Sequence, residues 1–194
     1  MTDLPRRKKK VEGLVQTREV MDEAALHQAL RRIADQILSR HPGAVNVVLV
    51  GIRTCGAFLA RRLRGLLKDA AKVDVPLGAI DITLYRDDVF VGLPRPEVGS
   101  TSLPGPIDGR TVILVDDVLF TGRTVRSALD ALMDYGRPHA VELAVLVDRG
   151  RRELPIHADF VGTSVPTTPE ESVHVSLEEE GDEDKVVLYE KGDA

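Results

Sequence analysis

Two adjacent aspartates followed by a short glycine turn form the part of the chain best suited to chemistry. Asp116 and Asp117 come directly after four apolar residues, 112–115, which are typical of a short buried strand. The turn Thr121-Gly122-Arg123-Thr124 then leads into a helical pattern that ends at Gly136. Backbone N–H groups at a helix N-terminus form an anion site, and carboxylates accept hydrogen bonds from vicinal hydroxyls. The spacing therefore predicts a ligand with both a phosphate and a diol, such as a ribose 5-phosphate.

The same segment has two other interpretations. The aspartates could simply cap the helix, although adjacent carboxylates repel each other and need a partner. A nucleoside triphosphate site would need a Gly-x-x-x-x-Gly-Lys-Ser/Thr loop, which the chain lacks. We therefore expect phosphate binding without nucleoside triphosphate hydrolysis.

The segment from Asp116 to Thr124 resembles the phosphoribosyl-pyrophosphate (PRPP) motif of type I phosphoribosyltransferases. Other strings resemble the PyrR family of bifunctional pyrimidine-operon regulators and uracil phosphoribosyltransferases, namely Gly51–Thr54, Asp81–Asp88, Gly122–Arg126 and Leu146–Gly150. The resemblance runs from about Gln16 to Tyr189. It implies the type I phosphoribosyltransferase fold, an α/β architecture with a mainly parallel central sheet, flanking helices, a flexible loop and a small cap. The PRPP-binding residues that it implies are Asp116, Asp117, Val118, Leu119, Phe120, Thr121, Gly122, Arg123 and Thr124.

A second loop, from Gly51 to Gly56, connects a predicted strand to a predicted helix. Glycines at both ends allow a tight turn whose N–H groups face an anion, although an ordinary strand–helix turn has the same pattern. The family usually has arginine where Cys55 stands, so backbone amides and Arg53 would have to supply the donors that cysteine cannot. A nucleophilic role for Cys55 is not expected, because no histidine lies nearby in the sequence. The resemblance implies that the pyrophosphate of PRPP is held here by Arg53, Thr54, Cys55 and Gly56.

The string Arg86-Asp87-Asp88 opens a long segment without periodicity, residues 86–109, which contains four prolines and four glycines. Such a segment usually forms a functional loop, and here it would close over the site to exclude water. PRPP binds as a magnesium complex, and Mg²⁺ needs few protein ligands when phosphates hold it. Asp87 and Asp88 would meet the ion through water, and Arg86 would act as a catalytic residue on the leaving pyrophosphate. The alternative is a charged surface turn.

The implied reaction converts uracil and PRPP into UMP and pyrophosphate. Asp116 and Asp117 would be catalytic residues that hold the ribose 2′ and 3′ hydroxyls, so that positioning and electrostatic stabilisation supply most of the catalysis. Phe120 stands where 6-oxopurine transferases usually have an aspartate, which favours a pyrimidine, although the ring could also be core packing. A transferase for another base, such as a 6-oxopurine, is kept as an alternative. The further residues expected to contact uracil are Asp148, Arg149 and Val165.

The resemblance also implies binding to a leader transcript of pyrimidine genes, strengthened by UMP. Asp35 lies one helical turn after Arg31, where a carboxylate repels phosphate or pairs with the arginine. Aromatic residues make up only 4% of the chain, so few side chains can stack on bases. Both features weaken the interpretation that the chain binds RNA. An RNA-binding, nucleotide-sensing regulator with little catalysis is still an alternative to the enzyme. The basic side chains that could contact RNA are Arg31, Arg32, Arg40, Arg151 and Arg152.

The composition is that of a soluble globular protein. Of 194 residues, 43% are hydrophobic and 29% are charged, with a net charge of −5, which argues against a uniformly basic nucleic-acid binder. The single cysteine excludes an internal disulfide and fits a reducing cytoplasm. No apolar run approaches the roughly 20 residues of a membrane span. Self-association as a homodimer or larger oligomer is expected, although the sequence does not indicate the copy number.

Alternating strands and helices predict how these loops are positioned. Such alternation indicates a parallel sheet with helices on both faces, whose strand carboxyl ends carry the ligand loops. The predicted helices cover 22–40, with Asp22 as N-cap, and 57–68, and a third follows Thr124. The predicted strands cover 45–50, 77–84, 112–115 and 140–147.

We expect one phosphoribosyltransferase domain over residues 16–191, preceded by a basic tail over 1–15. The flexible loop would span 86–109, and an irregular cap over the site would span 148–170. A terminal hairpin is predicted from residues 173–177 and 186–189, with a solvated acidic connector, Glu178–Asp184.

Overall fold

The computed structural model describes residues 14–85 and 100–191 of the chain. Most of the predicted basic tail therefore lies outside the described residues. The three α-helices of the described part are α1 (Glu23–Arg40), α2 (Cys55–Ala71) and α3 (Arg123–Met133). Its eight strands are β1 (Leu14–Met21), β2 (Val47–Ile52), β3 (Leu77–Ile80), β4 (Thr111–Leu119), β5 (Ala140–Asp148), β6 (Phe160–Ser164), β7 (Glu171–Ser176) and β8 (Lys185–Lys191).

Five parallel strands form the central sheet, in the order β3-β2-β4-β5-β6. Successive side chains of a strand point to opposite faces. In β4, Ile113 and Val115 pack with α1 and α2, whereas Val112 and Leu114 pack with α3. Both faces are covered, which explains the uninterrupted apolar run of residues 112–115. The predicted α/β class, with a mainly parallel sheet flanked by helices, is confirmed.

Helix α1 matches the helix that the sequence predicts. The Asp22 side chain accepts a hydrogen bond from the Ala25 N–H at 2.8 Å and so caps the first turn. Helix α2 begins at Cys55 rather than at Ala57, which brings the cysteine into its first turn. The buried face of α1 packs on the sheet through Leu26, Leu30, Ile33 and Ile37.

None of the three described helices has the length and hydropathy needed to cross a membrane.

A second, antiparallel sheet has the strand order β1-β8-β7. The predicted terminal hairpin is confirmed as β7 and β8. Strand β1 has no counterpart in the prediction, which assigns its first residues to the tail. Most side chains of β1 are exposed and only Met21 is buried, so the strand lacks the apolar alternation by which strands are recognised. Its pairing with β8 defines its conformation.

The end of the predicted flexible loop packs against the sheet. Ser102 forms an antiparallel bridge with Ala79 of β3, with both backbone hydrogen bonds at 2.8 Å. The Thr101 hydroxyl accepts a hydrogen bond from the Asp81 N–H at 3.1 Å, and Ile107 is fully buried. The loop is thus anchored over residues 100–109, whereas residues 86–99 lie outside the described part.

Part of the region predicted as an irregular cap is a strand of the central sheet. Strand β6 pairs in parallel with β5 and forms the sheet edge. Gly162 weakens the strand signal in the sequence. Yet a β-carbon at Gly162 would lie 2.6 Å from the Leu146 carbonyl oxygen, so the close approach of the two strands requires glycine. The irregular segments of this region are therefore only those on either side of β6.

Candidate active site

The loops that follow β2, β3 and β4 meet at the carboxyl edge of the sheet, because these strands are parallel and adjacent. The loop after β2 touches the backbone that carries the aspartates. A β-carbon at Gly56 would lie 2.3 Å from the Val115 carbonyl oxygen and 3.1 Å from the Asp116 Cα. Any larger residue would force the two segments apart. The structure thus brings the expected pyrophosphate loop beside the acidic pair.

Asp116 and Asp117 lie within β4 rather than after it, because the strand continues to Leu119. Asp116 is 6% exposed and Asp117 is half-buried. The Asp117 N–H donates to the Asp116 carboxylate at 3.0 Å, and the Val118 N–H donates to the Asp117 carboxylate at 2.9 Å. These hydrogen bonds orient the two carboxylates. Carboxylate oxygens at this edge of the sheet can accept hydrogen bonds from the hydroxyls of a ligand.

The expected 5′-phosphate turn joins β4 to α3. Gly122 has φ +94°, a conformation that L side chains rarely adopt. The Thr121 carbonyl accepts two hydrogen bonds at 3.0 Å, from the N–H groups of Glu153 and the residue after it. The Arg123 side chain pairs with Glu153 through Nε and Oε2 at 2.8 Å. The segment after β5 therefore holds the turn, and the N-terminus of α3 lies at the same edge as the acidic pair.

Arg53 supplies a buried donor at the expected pyrophosphate loop. Its backbone N–H donates to the Ile80 carbonyl at 3.0 Å, which ties the loop to β3. Its Nε is buried and has no hydrogen-bond partner in the part of the chain that the structure describes. The next peptide bond, between Arg53 and Thr54, is cis. Since a buried donor without an acceptor is unfavourable, the Nε marks a place for an acceptor on a ligand.

The Phe120 ring and the Arg149 guanidinium are stacked. The guanidinium carbon lies 3.9 Å from the ring centroid. Arg149 is 6% exposed and donates from Nε to the Thr167 hydroxyl (3.0 Å) and from Nη2 to the Glu171 carbonyl (2.6 Å). Burial lowers the pKa of Arg149, and the charge of Arg151 lowers it further. The side chain for which the sequence predicts contact with uracil thus braces Phe120 and the segment after β6.

Phe120 itself is 38% exposed, so the alternative that the ring is ordinary core packing is wrong. The ring follows β4 directly and precedes the 5′-phosphate turn. An exposed aromatic ring at this position is available to a base. The base-contacting role of Phe120 stays a prediction that its exposure is consistent with.

Asp148 and Val165, the other predicted uracil contacts, are linked where β5 and β6 end. The Val165 N–H donates to the Asp148 carbonyl at 2.8 Å, and Val165 is buried. The Asp148 carboxylate pairs with Arg152 at 2.6 Å. The Arg152 guanidinium also donates to the carbonyls of Phe120 (2.9 Å) and Ile156 (3.0 Å). The sequence suggests Arg152 as a candidate for RNA contact. In the structure its hydrogen bonds link the loops after β4 and β5.

The other four arginines considered for RNA contact differ in what they bind. Arg32 and Arg151 donate to backbone carbonyls at 2.8 and 2.6 Å, and Arg40 pairs with a carboxylate at 2.7 Å. Arg31 is exposed, and its side chain forms no hydrogen bond or ion pair with another described residue, so the pairing with Asp35 does not occur. Of the predicted RNA contacts, Arg31 is therefore the one whose side chain the described fold does not use.

The acidic connector of the terminal hairpin is exposed at most of its residues, as the sequence predicts, but Asp184 is buried and Glu180 is half-buried. Arg62 of α2 forms two hydrogen bonds each with Glu179 and Asp184, and the Asp184 side chain is 4% exposed. Burial raises the pKa of Asp184, but hydrogen bonds from Arg62 and the Glu178 N–H lower it more, so it lies below its usual value. Sequence reasoning missed Arg62 because Glu179 lies 117 residues further along the chain.

The predicted magnesium contacts, Asp87 and Asp88, and the predicted catalytic Arg86 lie outside the described residues. Over residues 14–85 and 100–191, no group of three or more His, Cys, Asp or Glu side chains could hold a metal ion. An ion carried by substrate phosphates needs few protein ligands. The buried Nε of Arg53 offers a donor to such a phosphate, so the described residues fit a metal that arrives with its substrate.

Comparison with known proteins gives a consistent family. Residues 16–180 match the model of the phosphoribosyl transferase domain. A bifunctional protein PyrR from Pelotomaculum thermopropionicum is 52% identical over 172 residues, which cover 89% of this chain and 95% of that protein. A bifunctional protein pyrR from Enterococcus faecalis is 50% identical over 171 residues, which cover 88% of this chain and 96% of that protein.

Solved structures show the same fold. The hypoxanthine phosphoribosyltransferase of Trypanosoma cruzi has a TM-score of 0.69 at 18% identity and covers 91% of this chain and 98% of its own. A hypoxanthine phosphoribosyltransferase of Staphylococcus aureus has a TM-score of 0.59 at 21% identity, with 79% and 80% covered. At such identities the likeness shows the type I phosphoribosyltransferase fold alone. The domain model and the half-identical, full-length relatives go further, and the chain belongs to the phosphoribosyltransferase domain family and, within it, to the PyrR family.

Proposed function

We propose that the chain is a uracil phosphoribosyltransferase, which converts uracil and PRPP into UMP and pyrophosphate. The observation that carries the proposal is the direct contact of Gly56 with the backbone of Val115 and Asp116. It sets the buried Asp116 and the half-buried Asp117 beside an anion loop whose Arg53 Nε has no acceptor among the described residues. A ribose with a diphosphate on C1 and a diol needs these groups side by side. Membership of the PyrR family supports uracil as the base.

In the proposed reaction, the bond between ribose C1 and the pyrophosphate oxygen breaks while uracil N1 bonds to C1 and loses its proton to the departing pyrophosphate or to solvent. Positive charge develops on the ribose during this exchange. Asp116 and Asp117 accept hydrogen bonds from the 2′ and 3′ hydroxyls and stabilise that charge. Backbone N–H groups already orient both carboxylates, so the site needs little reorganisation to reach the transition state.

Two turns at helix N-termini hold the ends of PRPP in this proposal. The turn Thr121–Thr124 binds the 5′-phosphate at the start of α3, and the loop Arg53–Gly56 binds the pyrophosphate at the start of α2. Magnesium bound to PRPP supplies charge neutralisation on the pyrophosphate. Asp87 and Asp88 would meet that ion through water, and Arg86 would contact the leaving pyrophosphate, as the family resemblance implies.

The base is held against Phe120 in this proposal. The Arg149 guanidinium covers one face of the ring, which leaves the exposed part of the ring for a pyrimidine. Backbone groups near Asp148 and Val165, where β5 and β6 end, form hydrogen bonds with the polar edge of uracil. Arg149 itself acts through Phe120, because its Nε and Nη2 donate to the Thr167 hydroxyl and the Glu171 carbonyl.

Replacing Arg149 by methionine is expected to raise the KM for uracil about tenfold, the size of a desolvated cation–π contact, while the KM for PRPP changes little. Methionine keeps much of the side-chain volume but removes the charge above the Phe120 ring. Steady-state kinetics with each substrate varied in turn would measure the effect. Arg126→Met, at an exposed arginine that pairs with Asp130 on α3, is the control for losing an arginine. A rise confined to the KM for PRPP would contradict this role.

A second activity, regulation of pyrimidine genes by UMP-dependent binding to leader RNA, is proposed from membership of the PyrR family. The exposed, uncommitted guanidinium of Arg31 is the structural feature that favours it. An RNA-binding regulator with little catalysis would keep this activity and lack the first. Mobility shift of a pyrimidine leader RNA, with and without UMP, tests the proposal, and an Arg31→Ala variant should weaken the shift in a salt-dependent manner.

An assay with PRPP, Mg²⁺ and one base at a time tests the enzymatic proposal. Formation of UMP from uracil, dependent on magnesium and faster than turnover of hypoxanthine or guanine, is the expected result. Preference for hypoxanthine or guanine would assign the chain to the 6-oxopurine transferases. Absence of turnover with every base would leave the regulatory activity as the function to be examined.

A further inference from the structure

The carboxylate of Glu180 contacts the first residue of α2, which belongs to the loop expected to bind pyrophosphate. The Cys55 thiol donates to Glu180 Oε2 at 3.2 Å, and Cys55 is 5% exposed. Glu180 ends the 3₁₀ helix Glu178–Glu180, which opens the acidic connector between β7 and β8. The connector therefore contacts the loop that is expected to bind the pyrophosphate of PRPP.

Glu180 differs from Glu178, Glu179 and Asp184, which lie beside Arg62, in having no cation beside it in the described part of the chain. Glu179 and Asp184 share the Arg62 guanidinium, and the exposed Glu178 lies 3.6 Å from it. Among the described residues, the Glu180 carboxylate forms no ion pair, and the Cys55 thiol is its side-chain partner. The Arg62 contacts hold the connector in place, so Glu180 is kept beside the loop.

We infer that Glu180 weakens the binding of PRPP and pyrophosphate to the Arg53–Gly56 loop. The inference rests on the proposed function of that loop. A helix N-terminus attracts anions, and at α2 the Glu180 carboxylate lies 3.2 Å from the thiol of the first helical residue. A pyrophosphate bound to the same turn is repelled by that carboxylate.

The cysteine at position 55 is what makes this repulsion effective. An arginine there would reach the Glu180 carboxylate and neutralise it, because the thiol is already in hydrogen-bonding contact. Cysteine provides a weak hydrogen bond and no charge. The two positions therefore act as one unit, and either removal of the carboxylate or addition of a guanidinium relieves the same repulsion.

The test compares Glu180→Gln, Cys55→Arg and the double variant with the unchanged protein. Calorimetric titration with magnesium pyrophosphate and the KM for PRPP are the two measurements. Glu180→Gln is expected to tighten both about fivefold, the effect of one charge several ångströms away at intermediate dielectric, with the KM for uracil unchanged. Glu178→Gln, on the same 3₁₀ helix with a side chain 75% exposed, is the matched control.

The coupling between the two variants distinguishes this inference from a general loss of negative charge. Cys55→Arg should also tighten pyrophosphate binding, and the double variant should gain less than the sum of the two, since each change removes the same repulsion. Weaker or unchanged binding in Glu180→Gln, or equal gains in Glu178→Gln, would overturn the inference. If the unchanged protein binds magnesium pyrophosphate but forms no UMP, the proposed function fails while the titrations still decide the role of Glu180.

Discussion

Replacing Asp116 and Asp117 together by asparagine is expected to lower kcat/KM for UMP formation about 10²- to 10⁴-fold, since each charged hydrogen bond contributes roughly 1.5–3 kcal/mol. Asparagine preserves the size of both side chains, and its oxygen can still accept from the N–H groups that now orient the carboxylates. What is lost is the negative charge beside the ribose, where positive charge develops. Initial rates at saturating and limiting PRPP would measure the loss.

The single variants separate the contributions of the two carboxylates. Because Asp116 is buried and Asp117 is half-buried, the charge of Asp116 is less screened by water, and Asp116→Asn is expected to be the more damaging change. Asp130→Asn, at an exposed position on α3, is the control for a lost aspartate. A double variant that keeps at least a tenth of the original kcat/KM would contradict the assignment of this pair to the ribose hydroxyls.

Replacing Arg62 by methionine is expected to destabilise the protein by about 3 kcal/mol, the lower end for breaking a buried ion pair. The methionine would leave the buried Asp184 carboxylate without its cation. For a domain of this size the melting temperature should fall by about 6–12 °C. Arg64→Met is the matched control on the same helix, because Arg64 forms a similar pair of 2.8 Å hydrogen bonds with Asp74, but at an exposed site. That control should melt close to the unchanged protein.

The same pair predicts a dependence on pH with a definite sign. The folded-state pKa of Asp184 is below its usual value, so the stability it contributes is present above the unfolded pKa of about 3.9 and is lost as the pH falls through the folded pKa. Without Arg62, burial raises the pKa of Asp184 against only the Glu178 N–H hydrogen bond and the charge of His27, so the pKa rises. The stability difference between the unchanged protein and Arg62→Met should therefore shrink on acidification. A difference that stays constant from neutral pH to pH 3 would show that Asp184 is not responsible.

The central sheet and its site loops could be predicted because their signals are local. Residues 112–115 form a strand buried on both faces, and such strands appear in the sequence as uninterrupted apolar runs. The acidic pair and the turn at Gly122 follow within ten residues, so their chemistry can be read without knowledge of the fold. The adjacency of the loop at Gly56 then follows from the parallel order of β2 and β4.

Side-chain partners distant in the sequence could not be predicted in the same way. Arg149 and Arg152 appear as charged residues in an irregular segment, and only the folded chain shows that they brace Phe120 and its backbone. Arg62 looks like a solvated helix residue until Asp184 packs against it. Strand β1 owes its conformation to β8 rather than to its own apolar pattern. In each case the information lies in a contact with a remote segment.

The pairing of β1 with β8 has a consequence for the order in which the protein is assembled. Leu14 is paired with Lys191, so the small sheet joins the beginning of the described chain to its end. Of the described strands, β8 is synthesised last, so β1 can pair with it only after the other strands have been made. The parallel sheet with Asp116 can form earlier, from segments already synthesised. The connector that carries Glu180 joins β7 to β8, so its contacts with Arg62 and Cys55 are completed together with this second sheet.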